Sequence, residues 1–150
     1  MNKGYEAKDI ITQCKRLDNV GITYNFFYLT GISGIGKGEQ GAKDTADICN
    51  QLHPQIIGAN MLTIYPNSEL YQEIQKGNWQ EETEIEKYKE LRTLVRYLDI
   101  PVWFAAGGAS NAIPATLPRD KEKILSVLDK IIQSVDEKQL REYRKNLRHL

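Results

Sequence analysis

Three short apolar runs, "ITYNFFYLT" (22–30), "IIGANMLTIY" (56–65) and "IPVWFAAGGAS" (100–110), alternate with stretches of helical periodicity. Each run is rich in β-branched and aromatic residues and apolar on both faces, the pattern of a strand buried inside a sheet. Strands that alternate with helices pair in parallel, because a parallel neighbour is reached only through a long crossover, and that crossover is right-handed. The expected fold is α/β: a parallel sheet of about three strands with crossover helices, in a single domain over residues 1–150.

The helical stretches carry their own punctuation. Residues 6–20 place Ile10, Cys14 and Leu17 on one stripe, with Gly21 as a stop. Residues 40–52 do the same with Ala42, Ala46 and Cys49, ended by His53-Pro54. A short helix is expected after Pro66, capped by Asn67 or Ser68 and stopped by Gly77. A polar linker, 78–84, leads to a helix over 85–98 with Tyr88, Leu91, Val95 and Leu98 inward. After the third strand comes a loop with two prolines, then an amphipathic helix over 120–134 (Ile124, Leu128, Ile131, Ile132). Asp136 with Gln139 resembles a capping box for a last helix, 137–149.

Composition excludes several classes. Twenty acidic and twenty basic residues cancel, so no overall field draws the chain to nucleic acid or to an anionic membrane. No apolar run approaches the roughly 20 residues of a membrane span, and the opening "MNKGYEAKDI" is polar, unlike a secretory leader; the expected location is cytoplasmic. Cys14 and Cys49 stand at apolar positions of helical stripes and read as buried small hydrophobes; alone they cannot complete a zinc or iron–sulfur ligand set.

The segment "LTGISGIGKGEQGA" (29–42) holds five glycines, Gly31, Gly34, Gly36, Gly38 and Gly41, between a strand and a helix. Gly31-x4-Gly36-Lys37 matches a P-loop as far as its lysine, but Gly38 replaces the Ser or Thr whose hydroxyl holds magnesium. Gly36-x-Gly38-x-x-Gly41 matches the dinucleotide fingerprint, but no acid stands at the tip of the next strand, "ANMLTIYP", to hold a ribose. The alternatives are a phosphate cradled at a helix N-terminus and a plain loop whose glycines serve turns.

Three segments, "MNKGYEAKDI", "LTIYPNSELYQEIQKG" (62–77) and "GGASNAIPATLPRDKEKIL" (107–125), together resemble the radical S-adenosylmethionine superfamily, in the C-terminal part of its Fe–S oxidoreductase-type members. The resemblance spans nearly the whole chain. It implies a partial (β/α) barrel, the C-terminal portion of a TIM-like barrel, whose full-length form binds S-adenosylmethionine and a [4Fe–4S] cluster. The family's Cys-x3-Cys-x2-Cys motif is absent here, so the resemblance implies no catalytic residue, no metal ligand and no stably bound cofactor in this chain alone. It implies cofactor contacts at the strand ends: Thr30, Gly31 and Gly34 after the first strand, Leu62, Thr63, Ile64 and Tyr65 beside the adenine, and Ser110 and Asn111 at the rim. Glu39 is the one candidate for the glutamate that usually ends the glycine-rich pattern, and Gly108 stands where a histidine often precedes Ala-Ser-Asn.

Three strands are few for an independent parallel sheet. The chain reads as a piece of something larger, and its expected partner is the missing N-terminal half of the barrel or a second copy, with a small-molecule substrate of unknown identity. The alternatives are a free-standing nucleotide- or phosphate-binding module built on the Gly31–Gly41 loop and a non-catalytic interaction domain. Asn25 and Asn60 lie within apolar strands, either as satisfied core amides or facing a barrel lumen. His53 reads as a cap or surface residue, Lys37 as solvated or as an anion contact, and Trp79 as a loop anchor or lid. Arg141, Arg144, Lys145 and Arg148 of the last helix are balanced by Glu137 and Glu142 and by Leu140, Tyr143 and Leu147, which favours packing over RNA binding.

Overall fold

The structure, a computed structural model, describes residues 4–108, 111–134 and 136–146. Its elements in chain order are α1 (Ala7–Asn19), β1 (Asn25–Thr30), α2 (Gly38–Cys49), β2 (Ile56–Met61), α3 (Glu69–Gln75), α4 (Glu84–Tyr97), β3 (Val102–Gly108), β4 (Asn111–Leu117), α5 (Lys121–Ser134) and α6 (Glu137–Lys145). One open sheet runs β1-β2-β3-β4, with β1, β2 and β3 parallel and β4 antiparallel to β3. Among the described residues no helix is long and apolar enough to cross a membrane.

The α/β class and the three parallel strands stand as expected. The fourth strand is a correction: the loop with two prolines is largely β4, running through Pro114 and ending before the cis Leu117-Pro118 bond. Proline lacks an N–H and so reads as a strand breaker, but β4 is an edge, where a strand tolerates one. The expected second strand is also shorter than its apolar run. Pairing ends at Met61, and residues 62–65 leave the sheet.

Helix ends follow their local chemistry. Ser68 Oγ accepts the Tyr71 N–H, Thr83 and Glu86 form a reciprocal capping box, and the Asp136 carboxylate accepts the Lys138 and Gln139 N–H groups. Gly21 and Gly77, each with φ near +70°, follow α1 and α3 in the left-handed conformation expected of a helix stop.

The core lies on one face of the sheet. Register aligns Phe26, Ile57, Phe104 and Ala115 in one row, and Tyr28, Ala59 and Ala106 in the next. Helices α2, α4 and α5 cover these rows with Ala42, Ala46 and Cys49, with Leu91, Leu94, Val95 and Leu98, and with Ile124 and Leu128. The small stripe of α2 lets its backbone approach α4 closely, which brings the N-termini of both helices to the ends of β1 and β2.

The other face is bare, which departs from the expectation of strands buried on both sides. Its rows are Asn25, Ile56, Trp103 and Thr116, then Phe27, Gly58, Ala105 and Pro114, then Leu29 and Asn60. Phe27 lies over Gly58 and is 83% exposed, and Trp103 is 46% exposed. These ten positions include no charged residue, although 27% of the chain is charged. Asn25 and Asn60 sit on this face and are exposed, so neither is a core amide.

The two faces predict opposite mutational costs. Leu94→Ala, at 0% exposure, is expected to lower unfolding free energy by about 3 kcal/mol. Phe27→Ser is expected to change it by no more than about 0.5 kcal/mol. Urea denaturation of the two variants measures both.

Candidate functional site

In a parallel sheet the loops at the C-terminal ends of the strands carry the site. Here that end gathers the glycine loop after β1, residues 62–65 after β2, the segment 78–83, the first turn of α4 and the helix α6.

The glycine loop is filled by the protein's own acceptors. Gly31, Gly34 and Gly36 have φ of 90°, 81° and 73°, conformations that glycine adopts freely. The Gly31 N–H donates to Glu90 Oε2 at 2.7 Å, the Ile35 N–H to the Gln80 carbonyl at 3.0 Å, and the Gly36 N–H to Glu86 Oε1 at 3.2 Å. A Cβ on Gly34 would lie 2.8 Å from Trp79 Nε1, so Trp79 anchors the segment 78–83 onto the loop. A Cβ on Gly38 would lie 2.4 Å from Glu82 Oε1 and 2.8 Å from Glu90 Oε2. The first residue of α2 is glycine because two buried carboxyls press against it.

These carboxyls are fully buried at 0% exposure. Glu90 also accepts the Tyr28 hydroxyl, and burial followed by that bond raises the Tyr28 pKa. Both oxygens of Glu82 find no partner among the described residues other than the neighbouring Glu90 carboxyl. Burial first, then the hydrogen bond with Glu90 and that group's negative charge, push the Glu82 pKa up to about 8. A proton on Glu82 removes the repulsion and supplies the missing hydrogen bond to Glu90. Glu86 moves the other way: burial raises it, but the Thr83 N–H and hydroxyl and the Gly36 N–H hold it below the usual carboxylate range. Glu39, Glu82 and Glu86 line a small cavity of about 60 Å³ with Gly36 and Gly38. A phosphate placed there would meet carboxylates, and the Gly31, Ile35 and Gly36 amides are already engaged.

Beside this pair lies an ion network. Lys87, at 0% exposure, passes under Gly31 and donates to Glu81 at 2.6 Å and Glu84 at 3.0 Å. Glu84 also accepts Arg144 Nε at 2.6 Å. The Glu137 carboxylate of α6 takes the N–H groups of Glu84 and Ile85, at 3.0 and 3.1 Å, and so caps α4. The last helix thus docks largely through ion pairs; Leu140 is half-buried and Tyr143 is 47% exposed.

Above the network is a cavity of about 380 Å³ lined by Leu62, Thr63, Ile64, Tyr71, Ile74, Glu81, Glu84, Arg141 and Arg144. Three of the expected site residues, Leu62, Thr63 and Ile64, form part of its wall, while Tyr65 does not. Thr30 is buried at the tip of β1; its carbonyl accepts the Leu62 N–H at 2.9 Å and its hydroxyl has no partner among the described residues. Gly31 and Gly34 pack against Lys87 and Trp79 and do not line the cavity. Asn111 opens β4 opposite Gly108, and Ser110 lies outside the described residues. Glu39 bonds the Thr93 hydroxyl at 3.1 Å, and exposed His53 pairs with Asp18 at 3.0 Å, a surface role. Cys14 and Cys49 are buried free thiols, and burial pushes Cys49 up to about 11.

Sequence reasoning missed the buried charges. A signal exists: Lys87 falls on the stripe of Leu91, Leu94 and Leu98, and Glu86 and Glu90 are four residues apart on one face. No protein-family model, curated protein or solved structure matches this chain.

Two predictions test the carboxyl pair. Because the folded-state pKa of Glu82 is above its unfolded value, the native state binds the extra proton, and this stabilisation fades as pH rises from about 4.5 through about 8. Glu82→Gln is therefore expected to be more stable than the native chain at pH 8, with a flatter stability profile between pH 5 and 8, read by urea denaturation. Gly38→Ala, which helix propensity alone favours by ~1 kcal/mol, is expected to destabilise instead. Adding Glu82→Ala should recover part of the loss in a double-mutant cycle.

Proposed function

We propose that this chain is the carboxy-terminal share of a (β/α) barrel in a radical S-adenosylmethionine protein of the Fe–S oxidoreductase type, contributing part of the cofactor and substrate pocket. The observation that carries this reading is the bare sheet face. Three parallel strands in consecutive order, with every covering helix on one side, are what a barrel wall presents, and the uncharged face with Phe27, Trp103 and Asn60 corresponds to its interior. A parallel sheet is stable when both faces are covered, so the bare side asks for further strands. The antiparallel β4 ends the parallel run, so those strands would add beside β1.

An iron–sulfur cluster does not fit the residues present. Both cysteines are buried in separate helices, and among the described residues no group of His, Cys, Asp or Glu is placed to hold a metal ion. The cofactor's adenine does fit: Leu62 and Ile64 offer apolar surface at a cavity of sufficient size, and the orphaned Thr30 hydroxyl lies one strand away. Bound adenosylmethionine would supply the hydrogen-abstracting chemistry; these residues would position and shield it.

The test is to express the natural gene from its full reading frame, reconstitute it anaerobically with iron and sulfide, and assay 5′-deoxyadenosine after reduction with adenosylmethionine present. A brown cluster and deoxyadenosine formation are expected. A frame without Cys-x3-Cys-x2-Cys upstream of Leu29 overturns the reading. The bare face also favours a second reading, an interaction domain that covers Phe27 and Trp103 with another copy; a concentration-dependent dimer in sedimentation, weakened by Phe27→Asp, would select it.

A further inference from the structure

The cavity walled by β2's exit, α3 and α6 has a chemical asymmetry that the barrel reading does not use. One side is apolar: Leu62, Ile64, Tyr71 and Ile74. The other carries two guanidiniums three residues apart on one face of α6, Arg141 and Arg144. Arg144 spends only its Nε, on Glu84, and its two Nη groups make no hydrogen bond among the described residues. Arg141 is held by long contacts alone: 3.4 and 3.3 Å to Glu137 Oε1 and 3.5 Å to the Glu82 carbonyl. Glu137 in turn is committed to the two amides at the start of α4. Guanidinium forks with unspent donors bind planar oxyanions in a bidentate manner.

Charge sets the kind of oxyanion. Glu81 and Glu84 share Lys87 and Arg144, and Glu137 pairs with Arg141, so the wall is neutral overall; what it offers an oxyanion is unspent guanidinium donors rather than net charge. A single negative charge is the least an oxyanion can add to such a wall. A dianion would bring a second negative charge beside Glu81 and Glu84 that no further cation offsets.

We infer that this cavity binds a small organic monoanion, a carboxylate on an apolar body, with the acid on Arg141 and Arg144 and the body against Leu62, Ile64, Tyr71 and Ile74. The volume, about 380 Å³, is that of a small-ligand pocket. Helix α6 supplies both cations and docks mainly by ion pairs, so ligand binding should tighten its hold on α4.

The chain labelled with nitrogen-15 would be titrated with 4-phenylbutyrate, with its neutral amide 4-phenylbutanamide and with phenyl phosphate as comparisons. Amide shifts are expected at residues 62–64, 71 and 74 and at the Arg141 Nε–H, with the acid bound about tenfold more tightly than the amide. Arg141→Gln should bring the acid down to the affinity of the amide and leave the amide unchanged. Should that variant loosen α6, Arg141→Lys keeps the charge and removes the fork, and most of the acid's advantage should still be lost. Equal binding of acid and amide, tighter binding of phenyl phosphate, or shifts elsewhere would overturn the assignment. The ligand's body takes the Leu62 and Ile64 surface that the barrel reading gives to adenine, but the titration involves no cluster or radical chemistry, so the failure of either proposal is distinguishable from that of the other.

Discussion

The charge of Lys87, held at 0% exposure between Glu81 and Glu84, constrains everything at the functional end of this molecule. A buried ammonium without partners costs several kcal/mol, so its carboxylates must be in place whenever the fold is formed. That requirement draws the segment 78–83 down across the glycine loop. Glu84 then needs a second cation, which Arg144 provides, and this brings α6 to the start of α4. Glu137 completes the arrangement by capping that helix from outside it. The cavity exists because these obligations place α6 opposite the residues leaving β2.

The glycine loop gains its meaning from the same logic. Five glycines between a strand and a helix suggest an anion cradle, and two nucleotide templates nearly match. In the fold, the loop's amides meet Glu86, Glu90 and the Gln80 carbonyl, and Gly38 yields its side-chain volume to Glu82. Helix N-termini attract negative charge whether it comes from a ligand or from the chain. Here the chain supplies it, in the Glu82, Glu86 and Glu90 carboxyls.

The bare sheet face is the second organising fact. Apolar area on this scale, free of charge in a chain that is otherwise rich in it, is a surface awaiting cover. Both functional readings follow from it, and they differ only in what covers it: further strands of one barrel, or another copy of the domain.

Much of the fold was legible in the sequence, because period and punctuation are local properties. Alternation of apolar runs with 3.6-residue stripes indicated three parallel strands, and the expected stops and caps Ser68, Asp136, Gly21 and Gly77 mark helix ends in the structure by hydrogen bonds or by left-handed φ. The strand ends were the expected place of a site, and of the residues named there Leu62, Thr63 and Ile64 line a cavity. Pro114 hid β4, since a residue that breaks a central strand is tolerated at an edge, and edge status is decided by pairing partners far along the chain. Glu82, Glu90 and Lys87 looked like the solvated face of a helix and its linker. Whether a charge is exposed or buried depends on which distant groups arrive to pair with it. Sequence alone determined the three parallel strands, the helices between them and their order. Only the tertiary structure decided which face stayed bare, which charges were buried, and that a glycine loop would hold carboxylates, because burial is settled by contacts between segments that local pattern does not encode.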